Sequence, residues 1–160
     1  MKAWVFGDDV TTDAIAPGRY MKGAIHELAV HSLESLDESF SRNVKPGDFV
    51  VAGRNFGCGS SREQAPEALK HLGVTALIAE SFAGLFYRNA LNLGLPALVC
   101  AQAKRIRAGD LLEVDLAGRV RNVTKNETYG CEPIPPHLLE MVRDGGLLPY
   151  LEKRLKGTAG

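Results

Sequence analysis

Residues 49–100 read FVVAGRNFGCGSSREQAPEALKHLGVTALIAESFAGLFYRNALNLGLPALVC, and their periodicity sets the fold class. Pro46-Gly47-Asp48 is a turn that launches Phe49-Val50-Val51-Ala52, a short apolar run of the buried-strand kind. A glycine-punctuated loop, Gly53 to Ser61, then opens a helix expected from about Arg62 to Leu72 and closed by Gly73. Pro66 falls early enough in that helix to be tolerated. Val74–Ala79 reads as the next strand, Phe82–Leu93 as a helix closed by Gly94, and Pro96–Cys100 as a third strand. Strands alternating with helices in this way imply a parallel sheet with right-handed crossovers.

Upstream, Ala3–Phe6 is a further buried strand bounded by Gly7-Asp8-Asp9. Residues Val10–Met21, with Thr-Thr-Asp, Pro17 and Gly18, read as irregular, and residues 25–40 suit one or two short helices. Downstream the period changes. Leu111–Leu116 and Arg119–Val123, joined at Ala117-Gly118, read as a hairpin, with a further strand over Thr128–Ile134. Pro135-Pro136 starts a helix through about Val142. A last amphipathic piece ends near Leu155, and Gly157–Gly160 is expected to fray. The expectation is one α/β domain over residues 1–160, a mostly parallel central sheet with flanking helices and a C-terminal antiparallel element.

Composition excludes several function classes. The chain has 160 residues, 45% hydrophobic and 24% charged, which is globular. Nineteen basic residues balance nineteen acidic ones, so no net field draws nucleic acid or an anionic membrane. No apolar run reaches the ~20 residues of a membrane span. The Met1–Phe6 start reaches Gly7-Asp8-Asp9 too soon for a signal peptide, which implies a cytoplasmic protein. The three cysteines, Cys58, Cys100 and Cys131, form no CxxC pair, so neither a disulfide framework nor a metal site is expected on this chain. His26, His31, His71 and His137 have no converging ligand spacing.

The chemistry concentrates in Phe56-Gly57-Cys58-Gly59-Ser60-Ser61-Arg62-Glu63. Gly57 and Gly59 let the backbone approach a ligand, the following helix start favours anions, and two hydroxyls and a guanidinium stand beside them. A structural reading competes. Ser60-x-x-Glu63 and Ser61-x-x-Gln64 are both capping-box patterns, and a serine at a helix start is most often a cap. A phosphate-binding P-loop is excluded because no Gly-Lys-Ser/Thr follows, and a nucleophile elbow because Gly-x-Ser-x-Gly is absent.

These residues carry a resemblance. Gly57-x-Gly59-Ser60-Ser61-Arg62-Glu63-x-Ala65 resembles the signature of the swivel domain of the aconitase superfamily, closest to the small subunits of 3-isopropylmalate dehydratases. Asp8-Asp9-Val10-Thr11-Thr12-Asp13-Ala14-Ile15-Ala16-Pro17 resembles the family's N-terminal motif, with Thr11 where the family often has Asp. Phe86, Arg88-Asn89 and Asn92-x-Gly94-Leu95-Pro96 resemble the segment after the serine loop. The likeness spans nearly the whole chain.

The resemblance implies a swivelling β/β/α domain and a hydro-lyase active only with a large subunit, as a heterodimer or heterotetramer. That large subunit would carry a [4Fe–4S] cluster, and this chain would bind no cofactor. The implied reaction isomerises 2-isopropylmalate to 3-isopropylmalate by dehydration and rehydration, in leucine biosynthesis. By matching position, Ser60 is the catalytic base, and Ser61 and Arg62 hold substrate. Asp13, Gly57 and Gly59 are supporting residues, with Asp13 bonding the serine loop or ordering the pocket. Arg19-Tyr20-Met21-Lys22-Gly23 matches the segment that reads the substrate's variable group. Tyr20 and Met21 suit an isopropyl group, whereas Lys22 suits a carboxylate and keeps homoaconitase and dimethylmalate-type dehydratases in view. Arg54 and Arg88 are expected to position loops or meet the large subunit. Outside catalysis, the competing expectation is a stand-alone anion-binding or regulatory module. The isolated chain is expected to form homo-oligomers through its uncovered partner surface.

Overall fold

A computed structural model describes residues 1–159. Strands β1 (Ala3–Val5), β2 (Phe49–Ala52), β3 (Ala76–Ala79) and β4 (Ala97–Val99) form a parallel sheet in the order β1-β2-β3-β4. Ala3 lies opposite Phe49, Phe49 opposite Ala76, and Leu77 opposite Ala97. Every residue of β2 and β3 is buried, which is why both read as unbroken apolar runs: both faces of the sheet are covered. Val50, Ala52, Leu77 and Ala79 point into a cluster with Phe40, Phe56, Leu69 and Phe86. Their alternates Phe49, Val51, Ala76 and Ile78 point the other way, against Leu98, Val120, Tyr129 and Met141.

The crossovers carry helices α4 (Gln64–His71) and α5 (Gly84–Asn92), stopped at Gly73 and Gly94 as expected. Helix α4 starts two residues later than the capping pattern suggests. Glu63 precedes it with helical φ and ψ of −64° and −28°, and no side chain caps it. The two serine capping boxes therefore do not form. Pro66 falls at the third helical position, where its missing N–H would have had no intrahelical acceptor.

The stretch expected to be irregular contains a four-residue helix, α1 (Thr12–Ile15), and a 3-10 turn at Gly18–Tyr20. The Thr11 hydroxyl caps α1 by accepting the Ala14 N–H at 3.0 Å. Helices α2 (Ile25–Ala29) and α3 (Phe40–Asn43) follow, also short.

Strands β5 (Leu112–Asp115), β6 (Arg119–Asn122) and β7 (Glu127–Gly130) form the antiparallel element. The last strand stops before the expected Ile134, because Pro133 and Pro135 follow and Glu132 donates instead to Val99 at 2.8 Å. The element joins the parallel sheet at the β1 edge, where Lys2 bridges Leu111 and the Ala3 N–H donates to Asp110 at 2.8 Å. Helix α6 (Pro136–Arg143) is followed by α7 (Leu147–Ala159). The helix thus continues past Leu155, where fraying was expected from Gly157, and Gly160 lies outside the described residues.

Candidate active site

The loops leaving the carboxyl ends of β1, β2 and β3 meet at one edge of the sheet, where open parallel sheets place their ligands. They continue the ladder as isolated parallel bridges, Thr11 with Cys58 and Phe56 with Phe82. Asp8 secures the first loop to the second: its carboxylate accepts the Arg54 N–H at 2.7 Å and pairs with Lys104 at 3.3 Å. The Arg54 N–H, with the Lys104 ammonium, keeps the Asp8 carboxyl below its ordinary range despite some desolvation. The Asn55 side chain donates to Asp9 at 3.2 Å, and Gly57 N–H to Val10 at 2.8 Å.

Glycine is required where the loop turns. Gly57 has φ +86°, and a Cβ there would lie 2.2 Å from the Phe86 ring. Gly59 has φ +100°, and a Cβ there would meet only the Thr12 hydroxyl, without crowding.

Helix α1 holds the serine loop from both ends. At its start, the Thr12 N–H donates to Cys58 at 2.8 Å and the Thr12 hydroxyl to the Ser60 carbonyl at 2.7 Å. Toward its end, the Arg62 guanidinium donates to Asp13 Oδ1 and to the Ala16 carbonyl, both at 2.8 Å. The Gly18 N–H donates to the same Asp13 oxygen at 3.1 Å. The bond from Arg62, then that from Gly18, holds the Asp13 carboxyl below its ordinary range. Ser60 and Ser61 are exposed, and among the described residues neither hydroxyl has a hydrogen-bond partner. A cleft of about 360 Å³ opens beside Arg62, lined by Asp13, Pro17, Gly18, Arg19, Glu34 and Ser35. The larger cleft, about 480 Å³, lies between Phe82, Tyr87, Glu132 and Pro135 and contains none of the residues nominated from sequence.

The structure thus brings together Ser60, Ser61, Arg62, Asp13, Gly57 and Gly59. The segment expected to read the substrate's variable group is less concentrated. Tyr20 stacks on His31 with ring centroids 3.6 Å apart, and the Arg19 guanidinium lies over the Tyr20 ring. Tyr20 and Met21 pack half-buried against the core, whereas Lys22 is exposed and, among the described residues, makes no ion pair or hydrogen bond. Neither Thr12 nor His31 has an expected role from the sequence. The signal for Thr12 was present, a hydroxyl directly before Asp13 in the N-terminal motif, but nothing local points it at Ser60.

The cysteines do not suit an iron–sulfur cluster. Cys58 sits in the loop with its sulfur 3.8 Å from the Val10 carbonyl. Cys100 is buried in the other core cluster with Cys131 packed against it; interaction between the two thiols lowers the pKa of Cys100 and, together with burial, raises that of Cys131. Among the described residues, no three His, Cys, Asp or Glu side chains are grouped to hold a metal ion. No helix among them is long and apolar enough to cross a membrane.

Residues 12–103 match the aconitase C-terminal domain family. A 3-isopropylmalate dehydratase small subunit of Methanosarcina acetivorans is 51% identical over 154 residues, 95% of this chain and 95% of that protein. A methanogen homoaconitase small subunit of Methanothermobacter thermautotrophicus is 48% identical, covering 96% and 91%. The crystal structure of a 3-isopropylmalate dehydratase from Methanocaldococcus jannaschii superposes with a TM-score of 0.93 at 46% identity, over 99% of this chain and 97% of that one. The match spans the serine loop, the helix that clamps it and the parallel sheet that presents both: the chain belongs to the aconitase C-terminal domain family, in its group of dehydratase small subunits.

Proposed function

We propose that this chain is the small subunit of a 3-isopropylmalate dehydratase, acting in the cytoplasm as one swivel unit over residues 1–160. The observation that carries the reading is the serine loop: two exposed hydroxyls, without partners among the described residues, stand beside a guanidinium aimed by Asp13 and the Ala16 carbonyl. Ser60 Oγ, as alkoxide, takes the proton from the carbon α to a substrate carboxylate. The hydroxyl leaves the adjacent carbon, giving an unsaturated diacid. Returning water in the opposite sense produces the isomer. A serine hydroxyl is too weakly acidic to do this alone, and positive charge from Arg62 and the start of α4 favours the oxyanion. Arg62 and Ser61 hold substrate carboxylate, with the guanidinium suited to two parallel bonds.

An open hydroxyl pair leaves two tasks unfilled on this chain: assistance to the departing hydroxyl and exclusion of water. Both fall to the large subunit in this reading, which would bring an iron–sulfur cluster to the serine loop. The large subunit would cover the loop edge of the sheet, in a heterodimer or heterotetramer.

The test is reconstitution. The chain is mixed anaerobically with the large-subunit candidate of the same genome, with iron and sulfide restored. Turnover of 3-isopropylmalate, a homoaconitate-type tricarboxylate and dimethylmalate is then compared. Activity is expected only in the mixture and highest with isopropylmalate. No turnover of any of the three with an intact cluster refutes the dehydratase reading for these substrates and favours the binding-module alternative.

One observation supports a second reading, homoaconitase. Lys22 is an exposed cation, unpaired among the described residues, in the segment expected to read the substrate's variable group, and a homoaconitase small subunit is among the similar proteins. A Lys22→Ala variant that keeps isopropylmalate turnover and loses tricarboxylate turnover would assign the charge that role.

A further inference from the structure

We propose that Thr12 is a positioning residue for Ser60: its buried hydroxyl sets the orientation of the Ser60 peptide and, through it, the aim of the Ser60 hydroxyl. The inference rests on the reading of Ser60 as the base.

Thr12 is only 2% exposed, yet both of its donors face the serine loop. Its N–H reaches the Cys58 carbonyl at 2.8 Å and its hydroxyl the Ser60 carbonyl at 2.7 Å. The two acceptors flank Gly59, so one residue grips the turn on both sides of its glycine. A Cβ on Gly59 would sit 3.5 Å from the Thr12 hydroxyl oxygen, which places that hydroxyl against the turn. Gly59, with no side chain of its own, does little to restrict the turn. Among the described residues, no other group bonds the Ser60 carbonyl, and the Ser60 hydroxyl is unpartnered. The Thr12 hydroxyl and N–H therefore pin the backbone on both sides of Gly59, and any displacement of that backbone carries the Ser60 Cα and its Cβ–Oγ arm with it. Arg62 is held separately, by Asp13 and Ala16.

That separation yields a distinctive signature. Thr12→Val keeps the side-chain shape and removes only the hydroxyl. The Ser60 carbonyl, on an exposed residue, can turn to water at little cost to stability, but the base loses its aim. Misplacing a reacting group by about 1 Å costs on the order of 100-fold in rate. Substrate binding through Arg62 should survive.

The experiment compares wild type, Thr12→Val and Thr12→Ser in the reconstituted two-subunit enzyme. It also measures backbone order parameters by NMR at Gly59, Ser60 and Ser61 in the full small-subunit chain. In Thr12→Val, kcat is expected to fall about 10–100-fold with KM within about threefold, and order at residues 59–61 to drop while β3 stays rigid. Thr12→Ser restores the hydroxyl and should stay within about threefold of wild type in kcat. Unchanged kcat in Thr12→Val, a loss confined to KM, or equal damage in both variants overturns the proposal. If Thr12→Val does not fold, Thr12→Ser decides, since it must retain both rate and order. If wild-type enzyme turns over none of the substrates, the dehydratase reading fails on its own account. The order parameters then decide for Thr12: unchanged values at 59–61 refute the clamp.

Discussion

Ser60 had two competing roles in the sequence, and they predict different outcomes for Ser60→Ala. As the N-cap of α4 it would contribute about 1 kcal/mol of stability. The helix instead starts at Gln64 with no side-chain cap, so the hydroxyl supports no helix end. Ser60→Ala is therefore expected to change the urea-unfolding free energy by less than about 0.5 kcal/mol. Turnover in the mixed enzyme should fall about 100–10,000-fold, the range for loss of a general base. A stability loss near the capping value, with turnover intact, would return Ser60 to a structural role. Ser60, Ser61 and Arg62 were nominated through the family resemblance their glycine-spaced motif carries, since the local pattern alone favoured a cap. Thr12 was not, because its partner lies 48 residues away and only folding brings the two together.

Among elements, α1 shows what short helices conceal. Four residues make barely one turn, too few for a 3.6-residue pattern to be seen, so the segment read as irregular. Its stability comes from its contacts: the Thr11 cap, the loop carbonyls at its start and Arg62 near its end. The glycine loop depends equally on its neighbour α5. Gly57→Ala would force a Cβ into the Phe86 side chain at a φ that disfavours side chains. The expected cost is about 3 kcal/mol, from overpacking and left-handed strain together. Gly59→Ala would meet only the Thr12 hydroxyl, at an uncrowded 3.5 Å, and should cost about half as much, from backbone strain alone. Denaturant melts of the two variants check the order. Equal costs would mean that the Phe86 ring moves aside freely.

For the molecule as a whole, Asp48 ties the first edge of the parallel sheet to its interior. Its buried carboxylate accepts the Lys2 N–H and the Trp4 indole N–H, both at 3.1 Å, and the Lys45 N–H at 3.0 Å. Burial pushes its pKa up, but these donors, led by Lys45, outweigh burial and leave it below the ordinary value. A lowered folded-state pKa means that the unfolded chain binds the proton more readily. The Asp48 contribution is therefore full above the unfolded value, about 4, and is lost as pH falls through the folded value. In urea melts from pH 7 to pH 2.5, the stability gap between wild type and Asp48→Asn is expected to shrink as pH drops below about 4. A gap constant across that range would mean the carboxylate charge contributes nothing. Asp110 works on the same principle at the junction of the two sheets: burial opposes its charge, while the Arg107 N–H and the Asn122 side chain keep its pKa low.

The amino-acid order settled the parallel sheet, both long crossover helices and the hairpin. Their signals are local: unbroken apolar runs for strands buried on both faces, and glycines that stop helices. The serine loop was equally readable, since its glycines and hydroxyls are contiguous. Packing settled the remainder. Whether Ser60 capped a helix depended on where α4 begins, and α4 begins only after Arg62 has turned back to Asp13 and Ala16. The grip of Thr12 on Ser60, the Phe86 ring beneath Gly57 and the stacking of Tyr20 on His31 join residues distant in the chain. Such contacts leave no periodic trace, because their energy comes from partners that only the completed fold brings into reach.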